Sequence, residues 1–121
     1  MKIYVSHAKR FDYKNLLYEP LKEAKLSVDL IFPHENSEPI NVRELFEQKE
    51  CDMVIAEVSH PAIGQGIELA WANANEIPIV CIYKKGSDIS GSLKFLTDKS
   101  IEYEDQDDMI EKIKKYLILN T

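Results

Sequence analysis

Short apolar runs rich in β-branched residues alternate along this chain with longer stretches of helical periodicity. That alternation restricts the fold to a parallel sheet with helices on its faces. Ile3-Tyr4-Val5 reads as the first strand, Ser27 to Phe32 as the second, Asp52 to Ala56 as the third and Ile77 to Tyr83 as the fourth; a weak fifth lies near Ile101-Glu102-Tyr103. The third and fourth are almost wholly apolar, as central strands covered on both faces must be. Between them the periodicity predicts a helix from about Tyr13 to Lys25, with a kink or restart at Pro20, which has no N–H to donate. Asn41-x-x-Glu44 reads as a capping box opening a short helix with Val42, Leu45 and Phe46 inward. Ile67, Ala70, Trp71 and Ala74 predict a helix over Gln65 to Asn75 with those four on one side, most simply the core side. Pro33 to Ile40 and Lys84 to Gly91 read as loops, followed by a short helical turn and a last helix from about Asp107.

Five strands and about five helices predict a three-layer, flavodoxin-like (Rossmann-like) α/β fold with sheet order 2-1-3-4-5. In such sheets ligands bind at the carboxyl ends of the strands where the order reverses, here between the first and third. Two loops are thereby selected, Ser6 to Arg10 and Val58 to Gly66.

The 121 residues fit one domain, 1–121, with 45% hydrophobic and 30% charged residues. The net charge of −6 argues against a nucleic-acid polymer or an anionic membrane as partner, while leaving room for a local basic pocket. No apolar run reaches the roughly 18 to 20 residues of a membrane span, and Met1 to Ser6 enters a strand pattern at once, without a signal-peptide core. The expected location is cytoplasmic. Cys51 and Cys81 read as two buried free thiols.

In the second selected loop, Pro61 fixes the chain leaving the strand, and Gly64 and Gly66 let backbone approach a ligand with no Cβ in the way. Glu68 is expected in the first turn of the following helix, where the dipole favours its ionised form. A carboxylate held there against a sugar can act as nucleophile toward an anomeric carbon; it can equally serve only to complement the dipole.

The run Asp52 to Ala70, with its pattern A-E-V-S-x-P-x-x-G-x-G-x-E-L-x-x-A, resembles the nucleoside 2-deoxyribosyltransferase superfamily, and most nearly its 2'-deoxynucleoside 5'-phosphate N-hydrolase branch. The resemblance extends more weakly from Ile3-Tyr4 to Ser92. It implies an N-glycosidase or deoxyribosyltransferase acting on nucleosides or their 5'-monophosphates, without a cofactor. Glu68 would be the nucleophile attacking C1' of the sugar. Tyr4 would stand beside it, and Glu44 would fall where the family has an acidic partner, usually Asp. Ser6, His7, Arg10, Ala62, Gly64, Gly66 and Ser92 would line the substrate, with Arg10 on the phosphate side and Ser92 reaching a neighbouring subunit's site. The family's assembly implies a homodimer or larger, with Trp71 and Tyr83 near the contact.

Two departures stand out. Ala62 replaces a Ser of the phosphate-binding members, and His7 replaces a small residue, where it would fill space against the sugar or donate to a phosphate. They motivate a second reading, a non-catalytic nucleotide-binding or sensor domain of the same fold. His7, His34 and His60 each follow one of the first three strands, but their spacing carries no metal signature and no metal is expected.

Overall fold

The structure is a computed structural model, described here for residues 1–120. Five parallel strands, β1 (Lys2–His7), β2 (Asp29–Ile31), β3 (Met53–Glu57), β4 (Ile79–Lys84) and β5 (Ser100–Tyr103), lie in the order β2-β1-β3-β4-β5. This is the doubly wound order expected. The register sets Tyr4 beside Val54, Ser6 beside Ala56 and His7 beside Glu57, so the ends of β1 and β3 are level where the order reverses.

Strand alternation divides the side chains into two cores. Ile3, Val5, Ile55, Val80 and Ile82 face one side and pack with Leu17, Leu21, Met109 and Ile113. Tyr4, Val54, Ala56 and Cys81 face the other, with Phe46, Leu69 and Ala72. The helices accordingly separate: α1 (Glu19–Glu23) and α4 (Gln106–Leu119) on the first face, α2 (Val42–Glu47) and α3 (Ile63–Ala74) on the second.

Pro20 has its expected effect through a specific device. A π-helical turn, Lys14–Tyr18, widens the coil ahead of it, and α1 starts with Pro20 in its first turn. The Leu16 carbonyl, which Pro20 cannot serve, accepts a hydrogen bond from the Gln106 side chain at 3.3 Å. Strand β2 is shorter than its apolar run, because it is an edge strand paired with β1 alone. The capping box is half formed. Asn41 Oδ1 accepts from the Glu44 N–H at 3.1 Å, but the Glu44 carboxylate turns down the helix to accept from Gln48 Nε2 at 2.9 Å.

The largest correction concerns α3. Its buried seam is Gln65, Leu69 and Ala72, whereas Ile67, Ala70 and Ala74 are exposed and Trp71 is half-buried. The helix therefore carries two stripes, and the more obviously apolar one looks outward. It also begins at Ile63, two residues earlier than expected, so Glu68 lies in its second turn and Gly64 and Gly66 in its first. Among the described residues no helix is long and apolar enough to cross a membrane.

Candidate active site

Tyr4 and Glu68, 64 residues apart in sequence, are brought together by β1 and α3. The Tyr4 hydroxyl donates to Glu68 Oε2 at 2.5 Å. Tyr4 is held by burial and by the edge of its ring against Phe46, with centroids 5.5 Å apart. Burial pushes the Glu68 carboxyl above its ordinary range, opposed by the Tyr4 hydrogen bond and the positive charge of Lys9. Burial and the neighbouring carboxylate both push the Tyr4 phenol up, so it remains a donor. The site thus holds a half-desolvated carboxylate with one oxygen fixed by a phenol and the other, among the described residues, without a side-chain partner, a fit arrangement for a nucleophile. Because Glu68 is in the second turn, this contact, and not the helix dipole, orients it.

Ser6 lies on the same sheet face as Tyr4, two residues on. It is buried, and its Oγ has no hydrogen-bond partner among the described residues. A hydroxyl left so forgoes about 1–3 kcal/mol, which a polar atom of a ligand recovers.

His7 points to the opposite face and is otherwise committed. Its Nδ1 lies 2.9 Å from the Ala8 carbonyl, which can only accept, so Nδ1 carries the proton. Nε2 then accepts from the Tyr18 hydroxyl at 2.7 Å, and that hydroxyl accepts from the His34 N–H at 3.2 Å. Burial lowers the His7 pKa to about 4, so the ring is neutral at pH 7. With both nitrogens engaged inside the protein, His7 has no donor left for a phosphate, which corrects that part of the sequence reading. Its role is spatial: Tyr13 stacks on it at 4.3 Å and His34 meets it edge-on at 5.1 Å. Tyr13, Tyr18 and His34 were not among the expected site residues. Nothing in their spacing announces them, since Tyr13 and Tyr18 bound one π-helical turn, His34 comes from the loop after β2, and only the fold gathers them around His7.

His60 lies instead beside Phe11, the two rings tilted with centroids 5.5 Å apart. Among the described residues no three His, Cys, Asp or Glu side chains are grouped to hold a metal.

Arg10 connects the two loops: its guanidinium donates to the Pro61 carbonyl at 3.2 Å, beside the start of α3. Ala62 is the N-cap residue and has no side chain with which to cap, so among the described residues the first N–H groups of α3 have no side-chain acceptor, and the Arg10–Pro61 contact sets the guanidinium beside the helix start. That pairing of helix N-terminus and guanidinium suits an anion. A Cβ at Gly64 or Gly66 would meet nothing within 4 Å, so protein packing does not require either glycine. Their bare backbone faces open space at the helix start.

Two expected residues make no hydrogen bond to the Tyr4–Glu68 pair. Glu44 is exposed on α2, with its carboxylate engaged by Gln48. Ser92 is exposed in a 3₁₀ turn (Gly91–Phe95), and lines a cleft of about 390 Å³ with Pro61, Ala62, Ile63 and Gly66 that neither Tyr4 nor Glu68 borders.

No family model matches the chain. A protein of Syntrophotalea carbinolica bearing the provisional name 2'-deoxynucleoside 5'-phosphate N-hydrolase 1 is 43% identical over 49 residues, 40% of this chain and 34% of that protein. One of the same provisional name from Thermofilum pendens is 29% identical over 85 residues, 62% of this chain and 59% of that protein. The matches thus span about a third and three-fifths of these relatives' lengths. Among solved structures, a CMP N-glycosidase of Clostridium botulinum superposes with a TM-score of 0.64 at 20% identity, covering 93% of this chain and 98% of that one. The order of the sheet, the G-x-G-x-E run at the start of α3 and these likenesses support a resemblance of the chain to the nucleoside 2-deoxyribosyltransferase-like superfamily.

Proposed function

We propose that this protein is an N-glycosidase of nucleoside 5'-monophosphates, with Glu68 as nucleophile. The observation that carries the reading is the Tyr4–Glu68 pair: a buried phenol holds one oxygen of a half-buried carboxylate and leaves the other to react. Attack of that oxygen on C1' breaks the C1'–N bond, whose electron pair leaves with the base, and forms a glycosyl ester with Glu68. Water then adds at C1', returns the carboxylate and completes the hydrolysis; a second base in place of water makes the reaction a transfer. The 5'-phosphate sits against the uncapped start of α3 and Arg10, and the Ser6 hydroxyl takes a polar atom of the substrate. The names of the relatives, hydrolases and glycosidases of nucleotides, support this class of substrate.

The reading includes a homodimer. Ile63 (86% exposed), Ile67 (47%), Ala70 and Ala74 recur at i, i+4, i+7 and i+11 along the outward stripe of α3, the pattern of a helix seam that lacks its partner. Light scattering at working concentration should give twice the monomer mass, and Ile67→Glu should reduce it to one.

The decisive experiment measures base release from deoxynucleosides, ribonucleosides and their 5'-monophosphates, with a second free base present as acceptor. Glu68→Gln should lower release by about a thousandfold or more, the scale on which a removed nucleophile acts. No release from any substrate by the wild type, with nucleotide binding retained, would replace the enzyme by a sensor of the same fold.

A further inference from the structure

The first turn of α3 has little to hold it. Its N-cap is Ala62, two of its first four residues are glycine, and Ile63 is 86% exposed. Yet Glu68, one turn further on, must meet Tyr4 within hydrogen-bond distance. Gln65 is the one buried polar residue of this helix, at a position where the seam with Leu69 and Ala72 calls for an apolar side chain. Its Nε2 donates at 2.9 Å to the main-chain carbonyl of Glu57, the last residue of β3. Among the described residues this is the only side-chain hydrogen bond made by Ala62–Gly66.

Glu57 itself is fixed. It is 1% exposed, and its carboxylate accepts from the Ser59 N–H at 2.7 Å, from the Ser59 hydroxyl at 2.9 Å and from the Tyr103 hydroxyl. Three donors are what a buried carboxylate needs to stay in place. The Ser59 hydroxyl oxygen also accepts from the Lys84 N–H at 2.9 Å, so the ends of β3, β4 and β5 are tied at one point. Apolar contacts resist sliding and rotation only weakly, whereas a buried hydrogen bond to a rigid carbonyl is directional.

We propose that Gln65 is a positioning residue for Glu68: by anchoring the glycine-flanked first turn of α3 to the tied end of β3, it fixes the rotation and depth of the helix that set the carboxylate against Tyr4. The proposal rests on the glycosidase reading for its kinetic test but not for its structural one.

The test is Gln65→Met, which keeps length and burial and removes the donor, with Gln65→Asn, a donor too short to reach, as the second variant should the first not fold. Three quantities are read: kcat and KM for base release, the titration of the Glu68 carboxyl by carbon NMR, and the melting temperature. Positioning predicts a fall in kcat of about tenfold or more with KM within about twofold. It also predicts that the Glu68 midpoint rises, as a carboxylate no longer set against Tyr4 loses the hydrogen bond that holds its pKa down. Tyr103→Phe, which weakens the tie but leaves the Gln65 bond, should lower the melting temperature without moving Glu68. An unmoved Glu68 midpoint in the Gln65 variants, whatever happens to the melting temperature, overturns the proposal and leaves Gln65 as a packing residue. If the wild type releases no base, the titration still decides, so failure of the glycosidase reading and failure of this inference are told apart.

Discussion

Removing the Tyr4 hydroxyl separates the two influences on Glu68, because burial and the phenol push its carboxyl in opposite directions. Tyr4→Phe keeps the ring, its edge-on contact with Phe46 and the burial of both residues, and deletes only the donor. A hydrogen bond to a charged acceptor is worth about 1.5–3 kcal/mol. Since it acts on the ionised form alone, its loss should raise the Glu68 pKa further, by about one to two units at 1.36 kcal/mol per unit. In the pH dependence of kcat/KM for base release the acid limb should move up by that amount, with activity recovering on the alkaline side. Stability follows the same sign. A carboxyl whose folded pKa lies above its unfolded value contributes stability that is full below about pH 4.3 and is lost as pH rises through the folded value. The variant should therefore lose more between acid and neutral pH than the wild type, and lose it later; urea denaturation across that range measures the difference. An acid limb that stays in place, or moves down, would refute the view that the phenol stabilises the ionised nucleophile.

Two further outcomes follow from the same geometry. His7 is buried and neutral, with a pKa lowered to about 4 from 6.5, so its contribution to stability is present above pH 6.5 and is lost as pH falls toward 4. It amounts to about 3 kcal/mol, and denaturant midpoints for wild type and His7→Phe should converge as the pH is lowered; parallel curves would mean that the ring is not held neutral. Gly64→Ala should raise helix stability by about 0.5–1 kcal/mol, since the new methyl meets nothing within 4 Å. It should at the same time raise KM for the nucleotide, and an unchanged KM would show that the bare face of that turn is not the substrate's.

The architecture was legible because β3 and β4 are apolar up to their last residues, Glu57 and Lys84, and each is followed by turn residues, so strand number and the doubly wound order follow from local pattern. The motif from Asp52 to Ala70 pointed to the candidate site for the same reason: its proline, glycines and glutamate lie within one short stretch. Helix orientation was less legible. Ile67, Ala70, Trp71 and Ala74 form as good a stripe as Gln65, Leu69 and Ala72, and periodicity alone favoured the wrong one. Glu44 satisfied a capping pattern on paper, but a side chain exposed on a short helix chooses among several partners of similar energy, and Gln48 was nearer.

The sequence by itself determined the alternating elements, their order in the sheet and the turn that carries Glu68, since these depend on hydrophobic period and on residues adjacent in the chain. Only the tertiary structure decided that Tyr4 meets Glu68, that Tyr18 and His34 complete the hydrogen bonds around His7, and that Glu57, Ser59 and Tyr103 tie three strand ends beneath Gln65. Those contacts join residues as far as 64 positions apart. Whether two distant polar groups pair depends on strand register and helix rotation, and both are set by packing of the whole core rather than by any local pattern.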